Sequence, residues 1–383
     1  MRKGHKKPRS RSGRPGRATA APSLLTLFPA FRPARFRKGA LERRSAFIKE
    51  LHEAYLHRGL VLYVGAGLSR SLGLPSWPEL IRALSVTMMS RRAESAIDAL
   101  EKLSDEQKWE RLSKLQIQVQ KGADSDRPIL MMARAVKDDL GDRLSPAIAR
   151  SLYRPVVRDL WRAWHDEEVV RRSLGRRPFP RVPLPTSDLL DAIVSLARAE
   201  RDVKGVQAIV NYNFDDLLDE KLREQHVKCR TVVSGRDSIP PGTLPCYHVH
   251  GVIPSRDFFR KRTGVKTKGN FVFSEDEYHA EYSDPYKWSN MTQMSLLGRY
   301  TGLFVGLSLE DPNIRRLIDV THRQYPDNLN YTLLPRKRPL KDFGDNSQSV
   351  LKALFEEVET NSFEKIGVRV MWVDSHEPLL SGH

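Results

Sequence analysis

The stretch LVLYVGAGLSRSLGLPSWPEL, residues 60–80, decides how the rest of the chain is interpreted. It begins with a continuous apolar run, Leu60–Val64, which is typical of a strand buried on both faces of a sheet. The glycines of Gly65–Gly67 end that strand, and a helix is predicted after Pro75. This glycine turn has two interpretations: an ordinary turn, or a turn that lets a phosphate approach the backbone. The stretch alone does not distinguish these two interpretations, so the other motifs of the chain are needed.

The charge of the chain is concentrated at its N-terminus. The 383 residues carry a formal net charge of +17, and residues 1–40 contribute twelve lysines and arginines and no acidic residue. Residues 1–45 are rich in Arg, Pro, Gly and Ser, which predicts a basic, disordered tail. The basicity therefore does not indicate a basic groove in the folded part. Any nucleic-acid contact is expected through this tail or through a partner protein.

Hydropathy and cysteine content narrow the class of protein further. The chain is 40% hydrophobic and long enough for two or three domains. No apolar run approaches the ~18 residues that span a bilayer, so no membrane contact is expected. The two cysteines, Cys229 and Cys246, cannot form a disulfide framework or a four-cysteine zinc site. A reducing cytoplasm is the expected location.

Predicted strands alternate with predicted helices along most of the chain. The strand candidates are Leu60–Val64, Gln207–Asn211, Cys246–His250, Phe271–Ser274, Leu303–Gly306, Tyr331–Leu334 and Val368–Val373. This alternation predicts an α/β fold with a Rossmann-like, mostly parallel sheet and helices on both faces. Residues 81–205 are charged and helix-periodic, which predicts a helical insertion module. The α/β domain is then formed by residues 46–80 and 206–375.

Four short motifs come directly after predicted strands. They are Gly65-Ala66-Gly67-Leu68-Ser69, Asn211-Tyr212-Asn213-Phe214-Asp215-Asp216, Tyr247-His248-Val249-His250-Gly251 and Gly306-Leu307-Ser308. Open parallel sheets bind ligands at the carboxyl ends of their strands, so the motifs are expected at one edge. Each alone is ambiguous. The first and last motifs can bind phosphate or can be ordinary turns. The second motif can contain catalytic residues or can cap the following helix.

The histidines of the third motif also have more than one interpretation. Strand alternation predicts His248 and His250 on the same face of the sheet, with Val249 opposite. A metal pair would need a third ligand, and none occurs at a suitable spacing. A histidine at a strand end, directly before Gly251, can serve as a proton acceptor, or it can be a hydrogen-bonded structural residue.

Taken in order, the motifs resemble those of the sirtuin-like NAD-hydrolase family, especially its bacterial antiphage-defence branch. GAGLS is similar to the sirtuin GAGxS motif. The other matches are Asn213-Phe214-Asp215 to Asn-x-Asp, His250-Gly251 to the catalytic His-Gly, and Gly306-Leu307-Ser308 to the later Gly-x-Ser. The phrases NYNFDDLL and LFVGLSLEDPNIRRLI are particularly like the defence branch. The resemblance spans about residues 55–375 and is interrupted by the helical segment.

The resemblance implies that NAD is the substrate and that the nicotinamide–ribose bond is cleaved, releasing nicotinamide and ADP-ribose. It assigns catalytic roles to Asn213, which would orient a water or the ribose, to Asp215, which would hold the nicotinamide end, and to His250, the general base. It also assigns cofactor contacts: Gly65, Ala66, Gly67 and Ser69 would seat the diphosphate, and Gly306 and Ser308 would meet the adenosine half.

Departures from the deacylating sirtuins count against protein deacylation. Those enzymes carry a zinc module with two cysteine pairs, which this chain cannot supply, so no zinc is expected. The sirtuin Thr-Gln is replaced by Asn211-Tyr212, and Gly73-Leu74-Pro75 resembles the GIPDFR loop only in part. These differences favour NAD hydrolysis. NAD-dependent deacylation and a non-enzymatic subunit that senses NAD or ADP-ribose are the alternatives.

The resemblance further implies an effector that depletes NAD during infection together with partner proteins. No G-x-x-x-x-G-K-[ST] P-loop occurs in the chain. Sensing is therefore expected from a second protein, such as a HerA-type ATPase or another sensor, and a homo-oligomer is expected. Tyr278 and Tyr282, four residues apart on a predicted helix, are expected to pack in the core.

Overall fold

The computed structural model describes residues 38–98, 129–153, 184–198, 203–256, 266–336 and 345–373. The helices are α1 (Lys38–Glu53), α2 (Ala66–Ser71), α3 (Trp77–Asp98), α4 (Ile129–Leu140), α5 (Asp188–Ala197), α6 (Leu217–Glu224), α7 (Glu275–Ser283), α8 (Trp288–Arg299), α9 (Pro312–Gln324) and α10 (Asp345–Glu364). Residues 144–153 are also helical. The strands are β1 (Leu60–Val64), β2 (Val206–Asn211), β3 (Cys229–Val232), β4 (Leu244–His248), β5 (Thr301–Val305), β6 (Asn330–Pro335) and β7 (Val368–Val373).

All seven strands form one parallel sheet in the order β3-β4-β2-β1-β5-β6-β7. Val64 at the end of β1 is paired with Asn211 of β2 and with Val305 of β5. Asn211 is in turn paired with His248 of β4. The last residues of the four central strands therefore form one row across the carboxyl edge. The strand order reverses between β1 and β5, which is where open α/β sheets bind ligands.

Both faces of the sheet are covered by helices. Leu60, Leu62 and Val64 of β1 pack with apolar side chains of α1 to α6 on one face. Val61 and Tyr63 pack with α8, α9 and α10 on the other face. Because every residue of β1 is buried, its sequence is a continuous apolar run. The predicted α/β, Rossmann-like parallel sheet with helices on both faces is confirmed.

The described residues between β1 and β2 form helices and short loops and contain no strand. Ala133 and Val136 of α4, and Tyr153 of the segment 144–153, lie in the same hydrophobic cluster as β1. The predicted boundary at residue 81 falls inside α3. The division of the chain into an α/β domain and a helical insertion module stays a prediction.

Only a part of the predicted tail, residues 1–45, lies within the described residues. From Lys38 the chain forms α1, so residues 38–45 are helical rather than tail-like. Phe47, Ile48 and Leu51 of this helix pack against the core, which explains why the helix forms here. Among the helices described, none is both long and apolar enough to cross a bilayer.

One predicted strand is absent, and one strand of the sheet is not predicted. Phe271–Ser274 is not a strand, although Phe271 and Phe273 are apolar and stacked on each other. Phe273 also packs edge-on against Trp77, and Ser274 caps α7, so the aromatic rings pack without a strand partner. Conversely, the pattern does not predict β3, because Cys229–Val232 is a four-residue edge strand that is only partly buried.

Candidate active site

The glycine turn after β1 packs directly against the turn after β5. The amide of Gly65 donates to the carbonyl of Val305 (3.1 Å), and the amide of Gly67 donates to the carbonyl of Gly306 (2.9 Å). A Cβ added at Gly67 would lie 2.6 Å from the Cα of Gly306, which itself has a φ of +68°. Glycine is therefore required so that the two turns can touch.

The residues predicted to seat a diphosphate occupy this turn. Ala66 is exposed at the start of α2, whereas the amides of Gly65 and Gly67 are already bonded within the fold. Ser308, predicted to meet the adenosine half, is exposed after β5, and its hydroxyl accepts from the amide of Glu310 (3.4 Å). The ligand contacts of these residues stay a prediction.

Asn213 is fixed against the glycine turn. Its side-chain Nδ2 donates to the carbonyl of Gly65 (3.0 Å), and its backbone amide donates to Oδ1 of Asn211 (2.9 Å). The side chain is 8% exposed. Because Nδ2 is occupied, the orientation of the amide group is set, and Oδ1 has no hydrogen-bond partner among the described residues. This oxygen is an acceptor of fixed position at the carboxyl edge.

Asp215 and Ser69 bond to each other rather than presenting two separate groups. The hydroxyl of Ser69 donates to Oδ2 of Asp215 (2.5 Å), and the amide of Leu217 donates to Oδ1 (3.2 Å). Burial raises the pKa of Asp215, although both hydrogen bonds act to lower it. The pair ties α2 to the start of α6, so both residues support the turns around Asn213. Their predicted contacts with substrate stay untested.

His250 lies between two tyrosine rings. The ring of Tyr212 lies edge-on at a centroid distance of 5.2 Å, and that of Tyr278 at 5.6 Å. Neither ring nitrogen of His250 has a hydrogen-bond partner among the described residues. Burial lowers the pKa of the imidazole, while Asp311 and Glu281 act to raise it. A neutral imidazole with an available lone pair can accept a proton near neutral pH.

His248 has a different environment, because β4 ends two residues earlier than the sequence predicts. The predicted strand Cys246–His250 is β4, Leu244–His248, and His250 lies in the following turn. The two histidines are therefore not related by strand alternation. His248 is 0% exposed, and its Nε2 lies 3.0 Å from Oδ2 of Asp219. Within the described ranges, no group of three or more His, Cys, Asp or Glu residues could hold a metal ion.

Several residues near His250 carry no clear signal in the sequence. Tyr212 is inside the second motif, but nothing there indicates that its ring contacts a histidine. Tyr278 is expected to be a core residue. The only signal in the sequence that could have located it near His250 is its distance along the chain from a serine that caps a helix. Asp311 caps α9 through its side chain, and it also acts to raise the pKa of His250. The core expectation for Tyr282 is wrong, since this residue is 52% exposed.

The fold and the site define a Rossmann-like protein with a polar site at the carboxyl edge of its central strands. The family model for the SIR2-like domain matches residues 207–359, which include the last three of the four motifs. Defense-associated sirtuin 2 of Bacillus subtilis is 26% identical over 165 residues, 43% of this chain. The match covers only 14% of that protein's length. The chain is thus similar to SIR2-like domains over residues 207–359 and, more distantly, to a defence-associated sirtuin.

Proposed function

We propose that the protein is an NAD glycohydrolase that releases nicotinamide and ADP-ribose. The observation that carries this proposal is the pairing of a fixed amide oxygen on Asn213 with a neutral, unbonded imidazole on His250. Each residue follows the paired row of Asn211 and His248 by two positions, in the segments after the neighbouring strands β2 and β4. The similarity to SIR2-like domains supports NAD as the substrate class.

The reaction needs little more than these groups. The bond between the ribose C1′ and the nicotinamide nitrogen breaks, and its electron pair goes to the nitrogen, so that neutral nicotinamide leaves. The ribose then has oxocarbenium character, as in glycoside hydrolysis. A water oriented by Oδ1 of Asn213 attacks C1′, and His250 accepts the proton that the water loses. Groups that fit this charge distribution better than the intact substrate accelerate the step.

The remaining predicted residues would hold the two ends of NAD. Asp215 would hold the nicotinamide end, with its geometry fixed by Ser69. Gly65, Ala66 and Gly67 would seat the diphosphate at the strand reversal, where Gly67 and Gly306 touch. Gly306 and Ser308 would meet the adenosine half. In this proposal the cleaved bond would lie near the ends of β2 and β4.

The biological role that we infer is depletion of NAD in an antiphage defence system. The name of the Bacillus subtilis relative supports this inference. We further propose a homo-oligomer and a separate sensing partner, such as a HerA-type ATPase, as the resemblance of the motifs to the defence branch implies. Nucleic acid would be contacted through the basic residues 1–40 or through that partner.

The direct test is nicotinamide release from NAD by the purified full chain, alone and co-expressed with its genomic neighbours. Asn213→Ala and His250→Ala are each expected to lower turnover by about 10²–10⁴-fold, the usual contribution of a positioned acid–base group. His279→Ala is the matched control, because His279 is an exposed histidine on α7 with a side chain 75% exposed. Circular dichroism should show that all three variants are folded.

Three outcomes would overturn the assignment in different directions. Near-normal turnover in folded His250→Ala protein would remove the proposed general base. Nicotinamide release that requires an acylated peptide would indicate a deacylase. Tight NAD binding without release, also with the partner proteins present, would indicate a sensing subunit.

A further inference from the structure

The orientation of His250 is set by packing rather than by hydrogen bonding. A histidine that accepts protons in catalysis is commonly oriented by a carboxylate or a carbonyl on its second nitrogen. No such partner of His250 exists among the described residues. The imidazole instead lies edge-on to Tyr212 and Tyr278. The tyrosine rings are therefore the groups that limit its rotation.

The two rings are held in different ways. The hydroxyl of Tyr212 donates to the side-chain carbonyl of Gln293 on α8, so both the backbone and the tip of Tyr212 are fixed. The hydroxyl of Tyr278 has no hydrogen-bond partner among the described residues. The position of Tyr278 therefore depends on where its helix, α7, lies.

The start of α7 is anchored to α4, which lies in the segment between β1 and β2. Ser274 and Glu277 form a complete capping box at this end of α7. Lys137 of α4 reaches the same end: its Nζ donates to Ser274 Oγ (3.2 Å), to Asp276 Oδ2 (2.8 Å) and to Glu277. The ammonium group of Lys137 thus contacts the first turn of α7. Tyr278 is the next residue after that turn.

We propose that Tyr278 is a positioning residue for His250 and that Lys137 holds Tyr278 in place through the first turn of α7. The segment between β1 and β2 would then control the proposed active site through one ion-pair cluster. This inference rests on the proposed function, because it assigns a reason for the position of the proposed general base.

Loss of the Tyr278 ring would change the titration of His250. Burial is the main reason for its lowered pKa, and Asp311 from the α9 cap and Glu281 from α7 oppose it. Tyr212 and Tyr278 are the other titratable groups that face the ring. Removing the ring of Tyr278 would admit water to the imidazole and weaken the effect of burial. The two carboxylates would remain, so the pKa of His250 would rise.

The first experiment compares two substitutions at Tyr278 by steady-state kinetics across pH. Tyr278→Ala is expected to lower kcat about ten- to a hundredfold, the range expected when a reacting group is misplaced. The acidic limb of its rate profile is expected to move to higher pH. Tyr278→Phe keeps the ring and is expected to recover most of that turnover. Tyr282→Ala, one turn further along α7 and exposed, is the control that should leave both quantities unchanged.

A rate loss in Tyr278→Phe equal to that in Tyr278→Ala would overturn the positioning role, because the hydroxyl would then be the important group. An unshifted acidic limb in Tyr278→Ala would overturn it as well. A merely structural role would lower the fraction of active protein without moving the pH profile.

The second experiment breaks the contact from α4. Lys137→Met keeps the unbranched stem of the side chain and removes its charge, and we expect a loss of about three- to tenfold in kcat, less than for a full misplacement. Arg92→Met is the control, because it removes a different ion pair of α4, that with Asp139 (2.6 Å), which does not reach α7. In a Tyr278→Ala background, Lys137→Met should have little further effect, since contacts acting in series are not additive. Fully multiplicative losses would overturn the connection.

A third measurement does not depend on activity. The chain has 11 histidines, and the imidazole signal of His250 can be identified in NMR spectra by its loss in His250→Gln. Its pKa should rise in Tyr278→Ala, rise less in Lys137→Met, and stay constant in Tyr282→Ala and Arg92→Met. If these pKa changes are found in a protein that cleaves no NAD, the proposed function is refuted but the positioning role of Tyr278 is not. An active protein with an unchanged pKa in Tyr278→Ala would refute the inference alone.

Discussion

His248 and His250 are separated by one residue, but they lie in two regions of opposite character. The His248 region is a buried charge cluster: Asp219 bonds to His248 at 3.0 Å, accepts from the hydroxyl of Thr231 at 2.5 Å, and lies 3.8 Å from Arg223. The His250 region is aromatic, and its imidazole has no polar partner among the described residues. The difference shows how one strand end can both hold the fold and supply a reactive group.

The pKa values of the two histidines move in opposite directions. For His248, burial alone would lower the pKa, but Asp219 together with Asp216 and Asp215 outweighs burial and raises it. The pKa of Asp219 is lowered, because His248 and the hydrogen bonds outweigh the effect of burial. For His250, burial prevails and the pKa is lowered. A buried histidine bonded to a carboxylate suits a structural role, and a neutral one with an available lone pair suits proton transfer.

The largest expected effect is the loss of stability when the buried pair is broken. Asp219→Ala leaves His248 fully buried without its counter-ion, so the free energy of unfolding should fall by about 3–5 kcal/mol. Urea unfolding at neutral pH measures this. Asp319→Ala is the matched control: it breaks the exposed pair with Arg323 (2.6 Å), which should cost only about 0–1 kcal/mol.

Equal losses in Asp219→Ala and Asp319→Ala would contradict the structural role of the His248 region. The two regions are also expected to differ in their effect on turnover. The folded fraction of Asp219→Ala should retain more turnover than His250→Ala, because Asp219 contacts no group placed in the proposed reaction.

A second, smaller effect is expected where the glycine turns meet. Gly67→Ala places a Cβ 2.6 Å from the Cα of Gly306, so backbone has to move. Overpacking of this kind costs about 1–3 kcal/mol of unfolding free energy. Turnover should also fall, because the neighbouring carbonyl of Gly65 fixes Asn213. Calorimetry and nicotinamide release on the same sample give both quantities.

Gly73→Ala is the control for this prediction. Gly73 has a φ of +81° but no atom within 4 Å of an added Cβ. An alanine there pays the cost of a left-handed backbone, about 1–2 kcal/mol, without moving either turn. Similar stability losses with a loss of turnover only in Gly67→Ala would show that the turn contact serves the site. Lost turnover in both variants would indicate that turnover depends on the stability of the protein alone.

Largely buried, apolar strands could be predicted from sequence, whereas the partly buried edge strand β3 could not. β1 and β7 have the predicted bounds, because residues such as those of Leu60–Val64 are buried on both faces and need no alternation. β3 is short and lies at the edge of the sheet, so its sequence lacks an apolar run. Phe271 and Phe273 have the composition of a strand, but they form aromatic contacts instead.

The order of the motifs predicts which strand ends meet, but it does not predict how the side chains are arranged. A shift of two residues in the end of β4 is enough to separate His248 from His250, because period-two alternation ends with the strand. The contact of Lys137 with Glu277 joins residues 140 positions apart. No local pattern indicates that contact, since both residues also fit an ordinary solvated helix surface.

The smallest expected effect is the pH dependence of stability, which tests the two histidines against each other. The pKa of His250 is lower in the folded than in the unfolded protein, so its contribution to stability is full above about 6.5 and declines as the pH falls toward the folded value. The pKa of His248 is raised, so its contribution is full below about 6.5 and is lost as the pH rises through the folded value.

Unfolding free energies measured from about pH 5.5 to 8.5 should separate these contributions, at about 1.4 kcal/mol for each unit of pKa difference. The stability advantage of wild-type protein over His250→Gln should shrink toward acidic pH, because only wild-type protein has to protonate a buried imidazole. The advantage over Asp219→Asn should shrink toward alkaline pH, because wild-type protein loses its buried imidazolium there. Parallel profiles for the two variants would mean that the regions around His248 and His250 do not differ electrostatically. Opposite slopes would show that one strand end separates a charge that stabilises the fold from a base kept neutral for reaction.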